Sequence, residues 1–308
     1  MPEHPVPSKR ARELVRGAYD THIHIAPDLV ERRITDVQLA RRFHEVGMAG
    51  FVLKSHYQST AARASVVREA VPGVRVLGAI TLNRAVGGLN PVAVEIAARE
   101  GARTVWFPTV NSENEQHEVL AAAPGTGVPV WAKLELELRE QGIAAEPVSV
   151  VDDGRLVPEG YDVLAAIARH DMVLATGHLS RDEIFVLVDA AFESGVRQVV
   201  VTHPEFPSQN LSFDDQRELA ARGALLERCF TTPYTGKTTW ERVIEATRAV
   251  GPENTVLSTD LGQVFNPPVE DGLALMVERF LEAGFSEDEV RMMAVENTRR
   301  VAGEVAVP

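Results

Sequence analysis

The stretch GAYDTHIH, residues 17–24, indicates the fold class because it is a short apolar run that ends in closely spaced polar side chains. Further runs of this kind recur along the chain, each too short for a typical helix and rich in Val, Ile, Leu or Thr. Runs that are apolar without clean alternation are typical of parallel strands buried on both faces. The further runs are GFVLKSH (50–56), VRVLGAIT (74–81), RTVWFPT (103–109), MVLATGH (172–178), RQVVVTH (197–203), ALLERCF (224–230) and TVLSTD (255–260).

Helix-start signals lie between the apolar runs. Strand and helix patterns therefore alternate about eight times, which favours an α/β protein with a closed (β/α)8 TIM barrel. An open doubly wound sheet is the alternative architecture. The helix-start signals are Asn90 before Pro91, Ser180 with Glu183, Ser212 with Asp215, and Ser286 with Glu289.

One interval between predicted strands is too long for a simple barrel unit. About 70 residues separate the fourth and fifth runs, and they include VPVWAKLELEL and PVSVVDDGRLVPEG. The second segment is typical of a hairpin that turns at Asp153-Gly154. We interpret residues of about 110–160 as an insertion over the barrel mouth. We expect residues 1–16 to form an N-terminal arm and residues 17–308 to form a single barrel domain.

Composition excludes several classes of function. The formal net charge is −13, so we expect neither nucleic acid nor an anionic membrane surface as a partner. The single cysteine, Cys229, excludes an internal disulfide framework, and its position within a strand predicts a packed core thiol. No apolar run reaches about 18 residues, and MPEHPVPSKRARELVRG lacks the apolar centre of a signal peptide. We therefore expect a cytoplasmic protein without a membrane span that acts on a small molecule; whether it forms a homo-oligomer stays open.

Polar side chains at the ends of the predicted strands carry the functional information. His22 and His24 are two residues apart, so in a strand both side chains point to the same face. In a barrel that face is the interior, near the mouth, where two imidazoles can hold one divalent metal. The alternative is a pair of hydrogen-bonded core histidines.

The same placement repeats on other strands. Lys54 and His56 close the second run, His178 the fifth, His203 the sixth and Asp260 the eighth. A lone histidine there is often structural, and a lone aspartate is often a helix N-cap. Their common location at the carboxyl ends of strands, where barrel enzymes keep their active sites, favours a metal centre.

These residues resemble the motif set of the amidohydrolase superfamily, which is a group of metal-dependent hydrolases with a TIM barrel. The closing VENTRRVAG, which contains Asn297, resembles the usual ending of that superfamily. More narrowly, LKSHY, GGLNP, WFPT, TGHLS and VTHP are similar to an amidohydrolase-like family without an assigned substrate.

The resemblance implies a ligand set. His22, His24 and Asp260 would hold the buried metal, with His178 as a further ligand, and His203 would either bind a second metal or contact the reacting water or carbonyl. Zinc is the expected ion for a His/carboxylate set, with manganese, iron and nickel also admissible. The number of ions, one or two, remains open.

Glu113, Glu115 and His117 follow the fourth strand in a predicted loop, where the sequence does not fix their placement. The strand itself departs from the superfamily pattern, because Trp106-Phe107-Pro108-Thr109 supplies no bridging Lys or Glu. Lys54 could replace it as a carbamylated bridge. It could also stay cationic and contact substrate, neutralised by substrate or by a carboxylate such as Asp20, or form a structural salt bridge. The further candidates for substrate binding are His56, Tyr57 and Arg84.

We therefore expect an enzyme that hydrolyses a C–N amide bond, cyclic or open, of a small carboxylate-bearing substrate. Asp260 would transfer the proton, with Lys54 and His203 supporting the developing oxyanion. A lactone or ester is the alternative substrate, metal-dependent decarboxylation of a small acid is the alternative reaction, and a catalytically inactive binding protein is the third hypothesis.

Overall fold

The computed structural model describes residues 4–121, 133–134, 137–138, 140–143 and 146–304. Most of the segment VPVWAKLELEL lies outside the described residues.

Eight parallel strands form the barrel in the order in which they occur along the chain, and each overlaps one of the apolar runs. The predicted (β/α)8 class is therefore confirmed, and the open doubly wound alternative is not what the chain adopts. The barrel strands are β1 (Tyr19–Ile23), β2 (Gly50–Leu53), β3 (Arg75–Thr81), β4 (Ala102–Trp106), β7 (Val173–Ala175), β8 (Gln198–Val201), β9 (Leu225–Cys229) and β10 (Thr255–Ser258).

Helices follow the strands and begin where the sequence signals place them. Asn90 accepts from the backbone N–H groups of Val92 and Ala93, and Ser180, Ser212 and Ser286 each form a reciprocal capping box. The helices are α1 (Lys9–Leu14), α2 (Asp36–Val46), α3 (Ala61–Ala70), α4 (Pro91–Arg99), α5 (Glu113–Ala121), α6 (Pro158–Arg169), α7 (Arg181–Glu193), α8 (Phe213–Ala221), α9 (Thr231–Tyr234), α10 (Trp240–Val250), α11 (Val269–Glu282), α12 (Glu287–Arg291) and α13 (Asn297–Val301). Within the described ranges, none of them combines the length and apolar character that crossing a bilayer requires.

The insertion between the fourth and fifth barrel strands contains the predicted hairpin. The short strands β5 (Val151–Asp152) and β6 (Arg155–Leu156) pair antiparallel. Asp153 and Gly154 between them have φ of 46° and 71°, as a tight two-residue hairpin turn requires. A hydrogen bond connects the insertion to the loop after β4: the backbone N–H of Val148 donates to the carbonyl of Asn111 at 2.8 Å.

Apolar side chains form separate layers inside and outside the barrel wall. The inner layer includes Tyr19, Val52, Leu77, Trp106 and Val173, which pack against one another. Larger clusters outside the wall join the strands to the helices. The inner layer is therefore a packed core, and the polar side chains lie next to it, at the carboxyl ends of the strands.

A register irregularity in β1 determines which of its side chains face inward. Tyr19 belongs to the inner layer, whereas Ile23 packs in an outer cluster together with α2. The pairing of β1 with β2 shifts between Asp20 and Ile23. A bulge of this kind changes the alternation of side chains, and it allows His22 as well as Tyr19 to face the barrel interior.

The barrel closes between β1 and the residues just after β10. The backbone N–H of Asp260 donates to the carbonyl of His22, and that of His24 donates to the carbonyl of Leu261, each at 2.7 Å. Gly262 follows with φ of 138°, and a Cβ on it would lie 1.4 Å from the His24 carbonyl oxygen. Only glycine permits this close approach, so the seam of the barrel depends on it.

Candidate metal centre and active site

Five histidine rings lie in a closed cycle at the barrel mouth. Neighbouring ring centroids are 5.4 Å apart for His22 and His24, 4.7 Å for His24 and His56, and 6.4 Å for His56 and His178. The cycle is completed by separations of 4.9 Å between His178 and His203 and 6.0 Å between His203 and His22. His22 lies within β1, and the others lie one to three residues beyond their strands. The structure thus brings together all five histidines that the sequence singles out.

The side chains of His22, His24 and Asp260 converge on one point. Asp260 Oδ1 lies 3.4 Å from His22 Nε2 and 3.2 Å from His24 Nε2. Ligands of a tetrahedral zinc at about 2.0–2.1 Å are separated from one another by about 3.3–3.4 Å. The donor atoms of these three side chains all lie within 4.8 Å of one another. The donor set and its spacing therefore fit a divalent metal.

A buried carboxylate lies behind His22. Both oxygens of Glu227 are 3.2 Å from His22 Nδ1, and Ser258 Oγ donates to Glu227 Oε1 at 2.8 Å. Burial alone would raise the pKa of Glu227, but the His22 ring lowers it below its usual value. The hydrogen bond places the proton of His22 on Nδ1, so the lone pair of Nε2 faces Asp260. Carboxylates in this position orient histidine ligands of metals.

The sequence analysis did not identify Glu227, because it lies inside the apolar run ALLERCF, where most residues belong to the core. Its signal is the two-residue alternation Leu225, Glu227, Cys229, which places all three on the inner face of β9. Cys229 is buried as predicted; its Sγ lies 3.7 Å from His22 Nδ1 and 3.3 Å from Ser258 Oγ. Burial raises the pKa of the Cys229 thiol well above its usual value, which disfavours a nucleophilic role.

A second buried carboxylate lies beside His178. Glu115 Oε2 is 3.3 Å from His178 Nδ1 and accepts from Ser208 Oγ at 2.6 Å. Burial would raise the pKa of Glu115, but His178 lowers it. Glu115 belongs to α5, the helix that follows the fourth barrel strand. Glu113 instead bonds Ser149, and His117 is exposed.

Lys54 is buried among the proposed ligands. Its Nζ lies 2.9 Å from His22 Nε2 and 5.0 Å from the centre of the Trp106 ring. Burial lowers the pKa of the Lys54 amine, whereas Asp260 and Glu227 favour its charged form. Asp20, the carboxylate considered as its partner, instead accepts from the backbone N–H and the hydroxyl of Thr259, at 3.0 and 2.5 Å. Lys54 therefore faces the same lone pair that a metal would use.

Burial keeps three histidines of the cycle, His24, His56 and His203, in the form that binds metal. It lowers the pKa of His24 and of His56 well below the usual value, and it lowers the pKa of His203 to about 3. Neutral imidazole has a free lone pair, as a metal ligand needs. Burial alone would raise the pKa of Asp260, but His22, His24 and Lys54 hold it well below its usual range. Asp260 is thus an ionised carboxylate between two imidazoles.

Two of these residues have a left-handed backbone. His203 has φ of 25° and Asp260 has φ of 53°, a region that few residues other than glycine adopt, with Asn, Asp and His the most frequent among them. Conformations of this kind cluster at functional sites, where the surrounding structure maintains them. Thr231 Oγ1 additionally donates to Asp260 Oδ2 at 3.0 Å.

The proposed substrate-binding residues lie on the side of the cycle nearest His56. His56 Nδ1 is 2.9 Å from Thr109 Oγ1, and the Tyr57 ring lies 6.1 Å from the His56 ring. The guanidinium of Arg84 donates to the carbonyls of Glu146 and Pro147, both at 2.5 Å. Arg84 therefore connects the loop after β3 to the insertion, a contact that the sequence did not indicate.

Comparisons with known proteins agree with this fold. The model of a family of unknown function, DUF6282, matches residues 17–227, a range that includes every histidine of the cycle and Glu227 but ends before Asp260. No curated protein matches the chain.

Several solved structures share the fold across nearly the whole chain. An amidohydrolase from Pseudomonas aeruginosa has a TM-score of 0.62 at 13% identity, covering 95% of this chain and 99% of that one. A protein proposed to be a 2-pyrone-4,6-dicarboxylic acid hydrolase, from Pseudomonas putida, has a TM-score of 0.59 at 17% identity, with 94% and 99% covered. The dipeptidase AC, described as a metallopeptidase, has a TM-score of 0.56 at 13% identity, with 93% and 98% covered.

Proposed function

The chain belongs to the family of unknown function DUF6282, and we propose that its barrel mouth is the active site of a metal-dependent hydrolase. The proposed reaction is cleavage of a C–N amide bond, cyclic or open, in a small molecule that carries a carboxylate. The observation that carries this proposal is the convergence of His22, His24 and Asp260 within 4.8 Å, with the Glu227 carboxylate behind His22. The names of solved structures with this fold, an amidohydrolase and a metallopeptidase, support the same class of reaction.

The proposed metal is zinc, because a set of imidazoles and a carboxylate suits it; manganese, iron and nickel fit the same donors. His22, His24 and Asp260 would hold it, with His178 as a further ligand. When bound, such an ion lowers the pKa of water towards neutrality and polarises a carbonyl group. Proton transfer and the contacts with the reacting carbonyl oxygen are assigned to side chains of the protein.

In the proposed mechanism Asp260 accepts a proton from the attacking water at its carboxylate and passes it to the leaving nitrogen. Thr231 and the left-handed backbone of Asp260 fix the direction of that carboxylate. His203 and Lys54 would donate hydrogen bonds to the carbonyl oxygen as it gains negative charge. The packed core of the barrel and the buried histidines restrict water around the reacting atoms.

Two alternatives remain within the same site. The name of one similar structure, a 2-pyrone-4,6-dicarboxylic acid hydrolase, favours a cyclic ester as the second candidate substrate. Metal-dependent decarboxylation of a small acid would use the same ligands but would not consume water.

Product analysis in H₂¹⁸O tests the proposed reaction. We expect the purified protein to contain one or two first-row divalent ions per chain and, when loaded, to turn over members of a panel of N-acyl amino acids, cyclic amides and lactones. Hydrolysis places one ¹⁸O atom in the product carboxylate. Release of carbon dioxide with no ¹⁸O in the remaining organic product would instead establish the decarboxylase. A metal-free protein with full activity would contradict the proposal.

Lys54→Met is expected to retain the metal and to lose most turnover. The amine and a metal compete for the lone pair of His22 Nε2, so a bound metal would leave Lys54 free to contact a substrate oxygen. Loss of such a charged contact costs about 1.5–3 kcal/mol, or roughly ten- to hundredfold in kcat/KM. Metal content and kcat/KM are measured on the same sample. Loss of one of two ions, with activity partly restored by short-chain carboxylates, would establish the carbamate bridge instead.

A further inference from the structure

A cavity of about 720 Å³ adjoins the histidine cycle on the side of His56. None of the five histidines lines it, but Ser55 and Tyr57, which flank His56 in the chain, do. The insertion forms the opposite wall. A volume of this size is typical of small-molecule sites. The cavity is lined by Pro27, Asp28, Leu29, Ser55, Tyr57, Gln58, Arg84, Ala85, Asn111, Leu134, Leu138 and Ile143.

Aliphatic side chains dominate the outer part of this cavity. Leu134 and Leu138 come from the insertion, four residues apart, and Ile143 follows them. On the facing side, Leu29 comes from the loop after β1. Leu29 is 71% exposed and Ile143 is 60% exposed, so both present apolar surface that the described chain does not cover. Apolar walls beside a polar reaction centre fit an apolar group on the ligand.

The charged groups of the cavity are already paired within the protein. Asp28 Oδ2 accepts from Arg32 Nε and Nη2, both at 2.7 Å. Arg84 donates to the two carbonyls of the insertion. A charged substituent placed in this cavity would therefore have to displace an existing partner, whereas an apolar substituent displaces none.

The amide nitrogen of Asn111 in the lining is a buried hydrogen-bond donor without a partner among the described residues. Asn111 is 3% exposed, and its Oδ1 accepts from the backbone N–H of Arg84 at 3.0 Å. That bond fixes the orientation of the amide, so Nδ2 is the free end. Nδ2 is buried and has no hydrogen-bond partner among the described residues. A buried donor without a partner costs free energy, so it indicates an acceptor on a ligand.

We propose that this cavity binds an apolar acyl or aryl group of the substrate and that Asn111 donates from Nδ2 to an oxygen of the same molecule. The inference rests on the proposed function in taking that ligand to be the substrate. It narrows the substrate class to amides or esters in which a short aliphatic chain or a ring lies on one side of the scissile bond.

Calorimetric titration of the metal-loaded protein with acetate, butyrate and hexanoate tests the cavity without requiring turnover. Each added methylene is expected to strengthen binding about three- to fourfold, so hexanoate should bind on the order of a hundredfold more tightly than acetate. Leu138→Asp should weaken hexanoate at least about tenfold and change acetate less than about twofold. Asn111→Asp keeps the acceptor for Arg84 but removes the donor, and it should weaken both acids by a similar factor.

Val66→Asp is the matched control, because Val66 is a 66% exposed apolar residue on α3 that does not line the cavity. It should leave both affinities unchanged, and thermal melts verify that all variants fold. Equal binding of acetate and hexanoate by the unaltered protein, or equal behaviour of Leu138→Asp and Val66→Asp, would overturn the inference. Affinity that rises from acetate to hexanoate, without turnover of any panel substrate, would refute the proposed function but would still support an apolar binding cavity.

Discussion

The double substitution His22→Ala and His24→Ala is expected to reduce metal content from at least one ion per chain to near zero and to abolish turnover. It removes two of the three donor atoms that meet at one point. Asp260 and the further proposed ligand His178 then remain, which is fewer than the three protein ligands of a catalytic zinc site. Metal content by mass spectrometry and turnover are measured on the same preparation. His44→Ala, which changes an exposed histidine of α2, serves as the control and should alter neither value.

Glu227→Gln extends this test to the carboxylate behind His22. The amide preserves shape but weakens the hydrogen bond that orients the ring, and losses of about ten- to a hundredfold in metal affinity are typical of such changes. We therefore expect the metal affinity of Glu227→Gln to lie between that of the unaltered protein and that of the double histidine variant.

Full metal loading and normal turnover in the double variant His22→Ala and His24→Ala would refute the ligand assignment.

Asp260→Asn is expected to keep the fold and to lower kcat by at least about a hundredfold, the usual scale of general acid–base assistance. Asparagine tolerates φ of 53° nearly as well as aspartate, and its oxygen can still accept from Thr231. The amide, however, cannot accept and return a proton. Alanine would add backbone strain at this φ, so asparagine gives the cleaner comparison.

Because Asp260 is also a proposed ligand, its variant is compared at saturating metal. Asp182→Asn, an exposed change at the start of α7, controls for the loss of one negative charge. A rate close to that of the unaltered protein in metal-loaded Asp260→Asn would exclude this residue from proton transfer.

The strands and most of the polar cluster could be predicted because their signals are local. An apolar run that ends in a histidine predicts a strand and also places the histidine at the carboxyl end of that strand, as in GAYDTHIH and RQVVVTH. Glu227 could not be found this way, and Glu115 could be named as a candidate but not placed. The first lies inside an apolar strand and the second on a helix, and their relation to His22 and His178 exists only after the chain has folded.

The irregularity in β1 was also beyond local reasoning. The spacing of His22 and His24 predicts a shared face, which a barrel turns to its interior, but it does not predict that Tyr19 also faces inward. Tyr19 and His22 differ by an odd number of residues, so a regular strand could not turn both inward; the bulge between them resolves this. Likewise, the pairing of Arg84 with carbonyls of the insertion depends on a contact across 62 residues of chain.

The seam between β1 and the end of β10 links the proposed metal site to folding kinetics. The groups that meet there come from nearly opposite ends of the chain; Asp20 and Thr259, which are hydrogen-bonded beside it, are 239 residues apart. Contacts of such high sequence separation form late and slowly, because the chain must first give up the entropy of a very long loop. The proposed donor set is therefore complete only after ring closure, and an ion bound there would stabilise the entire closed barrel. At a free concentration a thousandfold above its dissociation constant, that stabilisation amounts to about 4 kcal/mol.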